Sequence, residues 1–313
     1  MAVLKVSNLT ISFDKKTVVR NVSFELNNNE TLAIAGESGC GKSVTAKAIM
    51  GLLPESAASV SGNIFFAGKD LLQLSRSQIN KIRGKDIAMV MQEPFSSLNP
   101  VLKIGKQLAD ILLSHNKLSN REAQKIAVEL LKKVNMPEAE RRFYQYPHQL
   151  SGGMCQRILI AMALSNNPKV LIADEPTTAL DVTVQAQIIE LIKELQANYG
   201  LAILFITHDL GLVAEISDKV LIMYAGQVVE YGTVFEIFKE PLHPYTRGLL
   251  SSLPNKSKDE GFLNTIIGDV KDAPMEACAF APRCSESISK CKTSIPELNP
   301  ADGRLVRCLK IAN

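Results

Sequence analysis

A short apolar run, Thr31-Leu32-Ala33-Ile34-Ala35, stops at a glycine and opens into Gly36-Glu37-Ser38-Gly39-Cys40-Gly41-Lys42-Ser43. From Lys42 to Leu53 the pattern turns helical, and Pro54 closes it. No other stretch constrains the fold as strongly. The string matches G-x-x-x-x-G-K-[ST] in full, between a predicted strand and a predicted helix, which is the context the motif requires. Its glycines let backbone N–H groups converge on phosphate oxygens, and the helix start adds a favourable dipole. A buried strand feeding such a loop belongs to a layered α/β fold.

The rest of the chain is consistent with that layer. Val22 to Leu26 alternates apolar and polar residues, as a half-buried strand does. Asn63–Ala67 and Ile87–Met91 read as further strands, the latter leading to Gln92. From about Pro94 to Tyr146 the character changes. Ile126, Leu130, Leu131 and Val134 recur at helical spacing and strand signals vanish, so a helical insertion is expected over about 94–150. Strands then return at Val170–Ala173 and Ala202–Thr207, flanking a helix from Val182 to Ala197. Short apolar strands alternating with helices imply a mainly parallel sheet covered on both faces.

Two further features carry chemistry. The strand ending in Asp174 and Glu175 places carboxylates where one can hold Mg²⁺ through water and the other can orient or deprotonate an attacking water. In the loop, Lys42 reaches the β- and γ-phosphates and Ser43 holds Mg²⁺ through its hydroxyl. Between loop and acids stands Leu150-Ser151-Gly152-Gly153-Met154. Serine is a favoured helix N-cap, and the amides beyond it form a second anion site. A nucleotide enzyme with two such helix starts suggests an ATPase that works face to face with another copy.

The 313 residues allow about two domains at roughly 150 residues each. A net charge of +3 is small for this length and argues against nucleic-acid binding through bulk electrostatics. No apolar run approaches the ~18 residues of a membrane span, and Ile158–Leu164 reads as a buried helix. The N-terminus lacks signal-peptide features, which places the chain in the cytosol. Of six cysteines, Cys40 and Cys155 stand alone. Cys278, Cys284, Cys291 and Cys308 cluster with spacing C-x5-C-x6-C-x16-C. In a cytosolic protein that favours metal over disulfides, although the C-x2-C pairs typical of structural zinc are missing.

Together these motifs resemble the ATP-binding subunit of an ABC transporter over residues 1 to about 253. The resemblance implies a P-loop (RecA-like) core, an antiparallel β subdomain, the helical insertion, a linker over 254–276 and a cysteine-rich tail over 277–313. It implies that Ser151, Gly152 and Gly153 contact the γ-phosphate held by a second subunit, which is either identical or a paralogue. Gln92 matches the loop that senses Mg²⁺ and touches membrane subunits. Ala179-Leu180-Asp181 matches the loop that communicates across the dimer, His208 the switch histidine on the γ-phosphate, and Phe13 the aromatic that stacks on adenine. Cys155 departs from the family, which commonly carries a basic residue there. A lost charge near the dimer interface is the expected consequence.

Glu240-Pro241-Leu242-His243-Pro244-Tyr245-Thr246 and Ala281-Pro282-Arg283-Cys284 resemble the peptide/nickel branch of importers. That branch implies a subunit peripheral to the inner face of the membrane, two transmembrane permease subunits and an external solute-binding protein. It also implies a [4Fe–4S] cluster on the tail cysteines, with zinc or no metal as alternatives. The rival readings are a soluble ABC-type ATPase of translation or DNA repair, and an ATPase governed by a redox- or metal-sensing tail. A single cassette without extended heptads argues against the former.

Overall fold

The computed structural model describes residues 2–14, 16–178, 180–253, 266–270 and 273–311. Most of the expected linker and Ala179 therefore lie outside the described residues. The chain opens with β1 (Ala2–Phe13), β2 (Lys16–Asn27), β3 (Thr31–Ala35), α1 (Lys42–Ile49), β4 (Ala58–Phe66), β5 (Lys69–Asp70), α2 (Arg76–Ile82) and β6 (Ile87–Val90). Helices follow: α3 (Pro94–Ser97), α4 (Ile104–His115), α5 (Asn120–Lys133), α6 (Ala139–Arg142) and α7 (Gly152–Leu164). Strand and helix then alternate through β7 (Val170–Asp174), α8 (Val182–Tyr199), β8 (Ala202–Thr207), α9 (Leu210–Ile216) and β9 (Lys219–Tyr224). β10 (Gln227–Thr233), α10 (Val234–Lys239), α11 (Pro244–Ser251), β11 (Asn299–Ala301) and β12 (Arg304–Val306) complete it.

These elements form two compact units, with the division falling inside β8. The first comprises Met1–Val3, Asn27–Asn29 and Gln73–Leu204. In it β6 and β7 pair in parallel, Ile87 opposite Val170 through Val90 opposite Ala173. Every residue of β7 is buried, as a parallel strand covered on both faces requires. Helix α5 begins at a capping box in which Ser119 and Glu122 satisfy each other's backbone amides. Its buried face is Ala123, Ala127, Leu130 and Leu131. Ile126, expected on that face, is 37% exposed. The seam follows the i, i+4, i+7, i+8 row from Ala123, and Ile126 lies at its edge.

The second unit comprises Leu4–Leu26, Glu30–Leu72 and Phe205–Asn313. One sheet runs β2-β1-β4-β5, with β1–β4 and β4–β5 antiparallel. To the other sheet this unit contributes the run β11-β12-β10-β9-β3. There β3 and β9 are parallel, while β9–β10, β10–β12 and β12–β11 are antiparallel. Helix α1 stops at Ile49, short of the expected Leu53. Leu52 N–H bonds Lys47 O and Gly51 N–H bonds Ala48 O, a paired closure that satisfies the last carbonyls and turns the chain. The core of this unit gathers Ala33, Ile222, Val229, Ile237, Tyr245 and Phe280, with Cys278 and Cys284 packed against it. The rings of Tyr224, Tyr245 and Phe280 form a triangle with centroids 4.7, 5.2 and 5.3 Å apart. Among the described residues, no helix is long and apolar enough to cross a membrane.

Candidate functional site

In the second unit the glycine-rich loop Gly36–Ser43, the expected phosphate loop, is shaped by close backbone approach. Gly36 has φ +150°, and a Cβ there would sit 2.2 Å from Met223 O, so only glycine fits. All five residues of β3 are buried, which anchors the loop's entry. At its exit, α1 starts at Lys42 with no side-chain cap, so its first amides suit an anion. Lys42 is only 4% exposed, and its Nζ donates to Gly36 O (2.7 Å) and Glu37 O (3.0 Å). Ser38 and Gly39 are exposed, Glu37 and Ser43 half-buried, and Cys40 and Gly41 buried. Burial pushes the Cys40 thiol up, against the nearby Lys42 ammonium. Gly226 N–H donates to Cys40 O at 3.0 Å, fixing the far limb of the loop.

His208 is exposed directly after β8, and Asp209 behind it caps α9 by accepting from Gly211 N at 2.7 Å. Phe13 ends β1 half-buried, opposite Ala58 of β4.

In the first unit, β7 delivers a buried Asp174 (4% exposed) and a half-buried Glu175. Glu175 has φ +47°, an unfavourable conformation for a side-chain-bearing residue of the kind that gathers at functional sites. Its Oε2 accepts from Gln92 Nε2 at 3.0 Å and from Thr178 Oγ1 at 2.8 Å. The structure thus joins two residues singled out from sequence, Gln92 and Glu175. It adds Thr178, for which the sequence carried no signal beyond proximity in the chain.

Ser151 caps α7 by accepting from Met154 N at 3.3 Å. Gly153 lies against α8, where a Cβ would come within 2.5 Å of Val184 Cγ1. Asp181 caps α8, accepting from Val184 N at 3.0 Å. Cys155 is fully buried, with Sγ 3.7 Å from Pro147 O and its thiol pushed up to about 11 by burial. The side chain at this position therefore packs inside the unit.

In the second unit, the His-Pro-Tyr-Thr string is a helix start. His243 Nδ1 accepts from Tyr245 N at 3.0 Å, and Pro244 occupies the first turn of α11. Tyr245 is fully buried, and its hydroxyl oxygen accepts from Glu37 N at 3.0 Å. Arg283 donates to both carboxylate oxygens of Glu37, at 2.8 and 3.1 Å. No sequence signal ties either residue to the phosphate loop.

The four tail cysteines line one cavity with His243 and Phe280. Burial raises the Cys278 and Cys284 thiols. Among the described residues, no group of three or more His, Cys, Asp or Glu is arranged to hold a metal ion.

A strand-anchored phosphate loop and a strand ending in paired acids define a P-loop α/β nucleotide-binding protein. The ABC transporter family matches residues 19–178, and the oligopeptide/dipeptide transporter C-terminal region matches 229–291. The chain is 49% identical to oligopeptide transport ATP-binding protein AppD of Bacillus subtilis, covering 97% of this chain and 95% of that one. It is 53% identical to OppD of the same organism, covering 91% and 82%. Among solved structures it resembles the dimeric post-hydrolysis state of the ATP-binding cassette MJ0796 bound to ADP and Pi. That match has TM-score 0.66 at 29% identity and covers 74% of this chain and 98% of that one. The chain belongs to the ABC transporter family, as an ATP-hydrolysing, ATP-binding subunit.

Proposed function

We propose that this subunit hydrolyses ATP between two face-to-face ATP-binding chains and so drives import of di- or oligopeptides through separate membrane subunits. The observation that carries the catalytic reading is the Gln92–Glu175 hydrogen bond of 3.0 Å. It holds the general base to a loop that can report to a partner. Glu175 takes the proton from the attacking water, and Thr178 and Gln92 steady its Oε2. Gln92 donates through its amide NH₂, so its carbonyl oxygen is the atom suited to Mg²⁺. Ser43 and Asp174 would each offer that ion an oxygen, and the ion would neutralise charge on the phosphates. Gly36, Glu37, Ser38, Gly39, Cys40, Gly41 and Lys42 shape the phosphate cradle. His208 contacts the γ-phosphate, and Phe13 carries the adenine. Ser151, Gly152 and Gly153 complete the partner chain's site, and Asp181 relays across the pair while capping α8.

The names of the relatives supply the cargo class, oligopeptide and dipeptide. We infer assembly with two permease subunits on the inner face of the membrane, fed by an external binding protein, from the membership of the peptide-transporter family. Glu175→Gln tests the reading: this variant binds ATP and pairs, yet turns over about 10²–10⁴-fold more slowly. Turnover within a few-fold of wild type would remove Glu175 from the role of base.

We further propose that Cys278, Cys284, Cys291 and Cys308, which line one cavity, take a [4Fe–4S] cluster, an arrangement that the described residues do not already present. The cluster would fix the tail by ligation. Iron and acid-labile sulfide at about four each per chain in anaerobically purified protein is the expected result; iron-free protein with the same fold would exclude it.

A further inference from the structure

Glu37, the second residue of the phosphate loop, is held on two sides by the C-terminal part of the same unit. Its N–H donates to the Tyr245 hydroxyl oxygen at 3.0 Å, and both carboxylate oxygens accept from Arg283 at 2.8 and 3.1 Å. The guanidinium is nearly dry: the Arg283 side chain is 5% exposed against 28% for Glu37. Paired, charge-assisted bonds of this kind fix direction as well as distance. Arg283 is itself steadied by Ile266 O at 3.0 Å and Ile267 O at 3.1 Å. Tyr245 is locked by packing on Tyr224 and Phe280. Glu37 also follows Gly36, where an added Cβ would meet Met223 O at 2.2 Å. The entering limb of the loop is therefore clamped while Ser38 and Gly39 remain exposed to meet phosphate.

We infer that Arg283 and Tyr245 are positioning residues for nucleotide binding: the C-terminal region braces the phosphate loop through Glu37 and thereby sets its affinity for ATP and ADP. A loop whose amides already converge loses less freedom on binding an anion. Releasing the brace weakens binding without touching the groups that perform hydrolysis. The inference rests on the reading of Gly36–Ser43 as the phosphate loop.

The test uses the full chain and titrates Mg·ADP by calorimetry, with KM and kcat measured in the assembled transporter. Arg283→Ala should raise the ADP Kd and the ATP KM on the order of tenfold, the size expected for a lost charge-assisted pair, with kcat at saturation within about twofold. Arg283→Lys should recover part of the loss. Glu37→Gln combined with Arg283→Ala should be no weaker than Arg283→Ala alone, because both act through one contact. Tyr245→Phe keeps the ring and removes only the acceptor of Glu37 N–H, so it provides an independent arm should Arg283→Ala fail to fold. A purely structural role would lower thermal stability while leaving the ADP Kd of folded protein unchanged, and that result overturns the inference. Additive losses from Glu37→Gln and Arg283→Ala overturn it as well. Lys42→Ala separates the two readings. If Lys42→Ala abolishes ADP binding while Arg283→Ala and Tyr245→Phe bind normally, only the brace is wrong. If Lys42→Ala binds normally, the loop assignment itself falls.

Discussion

Gly153 is the position where the Ser-Gly-Gly turn has least room. A methyl group there would lie 2.5 Å from Val184 Cγ1, and 3.7 and 3.8 Å from Val184 Cβ and Cγ2. Apolar carbons rest at about 3.5–4.0 Å. Gly153→Ala therefore forces Val184 from its rotamer or moves α7 from α8 by about 1 Å. Overpacking of this kind costs about 1–3 kcal/mol, and the better helix propensity of alanine offsets at most about 1 kcal/mol. A net loss of about 1–2 kcal/mol is expected. Val184→Ala removes the obstructing methyl groups, so the double variant should be no less stable than Val184→Ala alone. Urea unfolding of the wild type, both single variants and the double variant measures this coupling directly. Ser151 caps the same first turn, so ATP-driven pairing should weaken in Gly153→Ala and recover in the double variant. Wild-type stability in Gly153→Ala, or strict additivity with Val184→Ala, would refute the reasoning.

Gly36→Ala meets backbone where Gly153→Ala meets a side chain, at 2.2 Å from Met223 O. It should cost at least about 2 kcal/mol and abolish Mg·ADP binding by calorimetry. Cys155, buried and pushed up to about 11, should resist thiol reagents at pH 8, because its thiolate fraction is on the order of 10⁻³; mass mapping of alkylated folded protein checks this. Burial, followed by the neighbouring Arg247, holds the His243 imidazole down at about 3 from its ordinary 6.5. The unfolded chain then binds the extra proton between those values, so the His243 contribution to stability is constant above about pH 6.5 and falls as pH drops towards 3. His243→Asn keeps a capping oxygen and should flatten that dependence in denaturation midpoints taken across the window.

The loop, the buried strands, the acid pair and the Ser-Gly-Gly cap were legible in the sequence because each depends on neighbours within a few positions. A strand feeding glycines and a capped helix start is a local arrangement, and periodicity reports burial wherever one face dominates. Legibility faded where local rules compete. Ile126 fits a helical row but falls at the edge of the buried seam, and α1 ends at Ile49 because its closure uses Gly51. The Glu175–Gln92 bond joins positions 83 residues apart, and Tyr245 and Arg283 reach Glu37 across 208 and 246 residues. Such partners are chosen by strand order and by which side chains a closed core leaves facing one another. The sequence by itself determined an ATP-binding chemistry and the local elements on which its candidate residues stand. Only the tertiary structure decided that a C-terminal arginine and tyrosine clamp the phosphate loop and that Cys155 lies in the interior, because both depend on packing between segments remote in the chain.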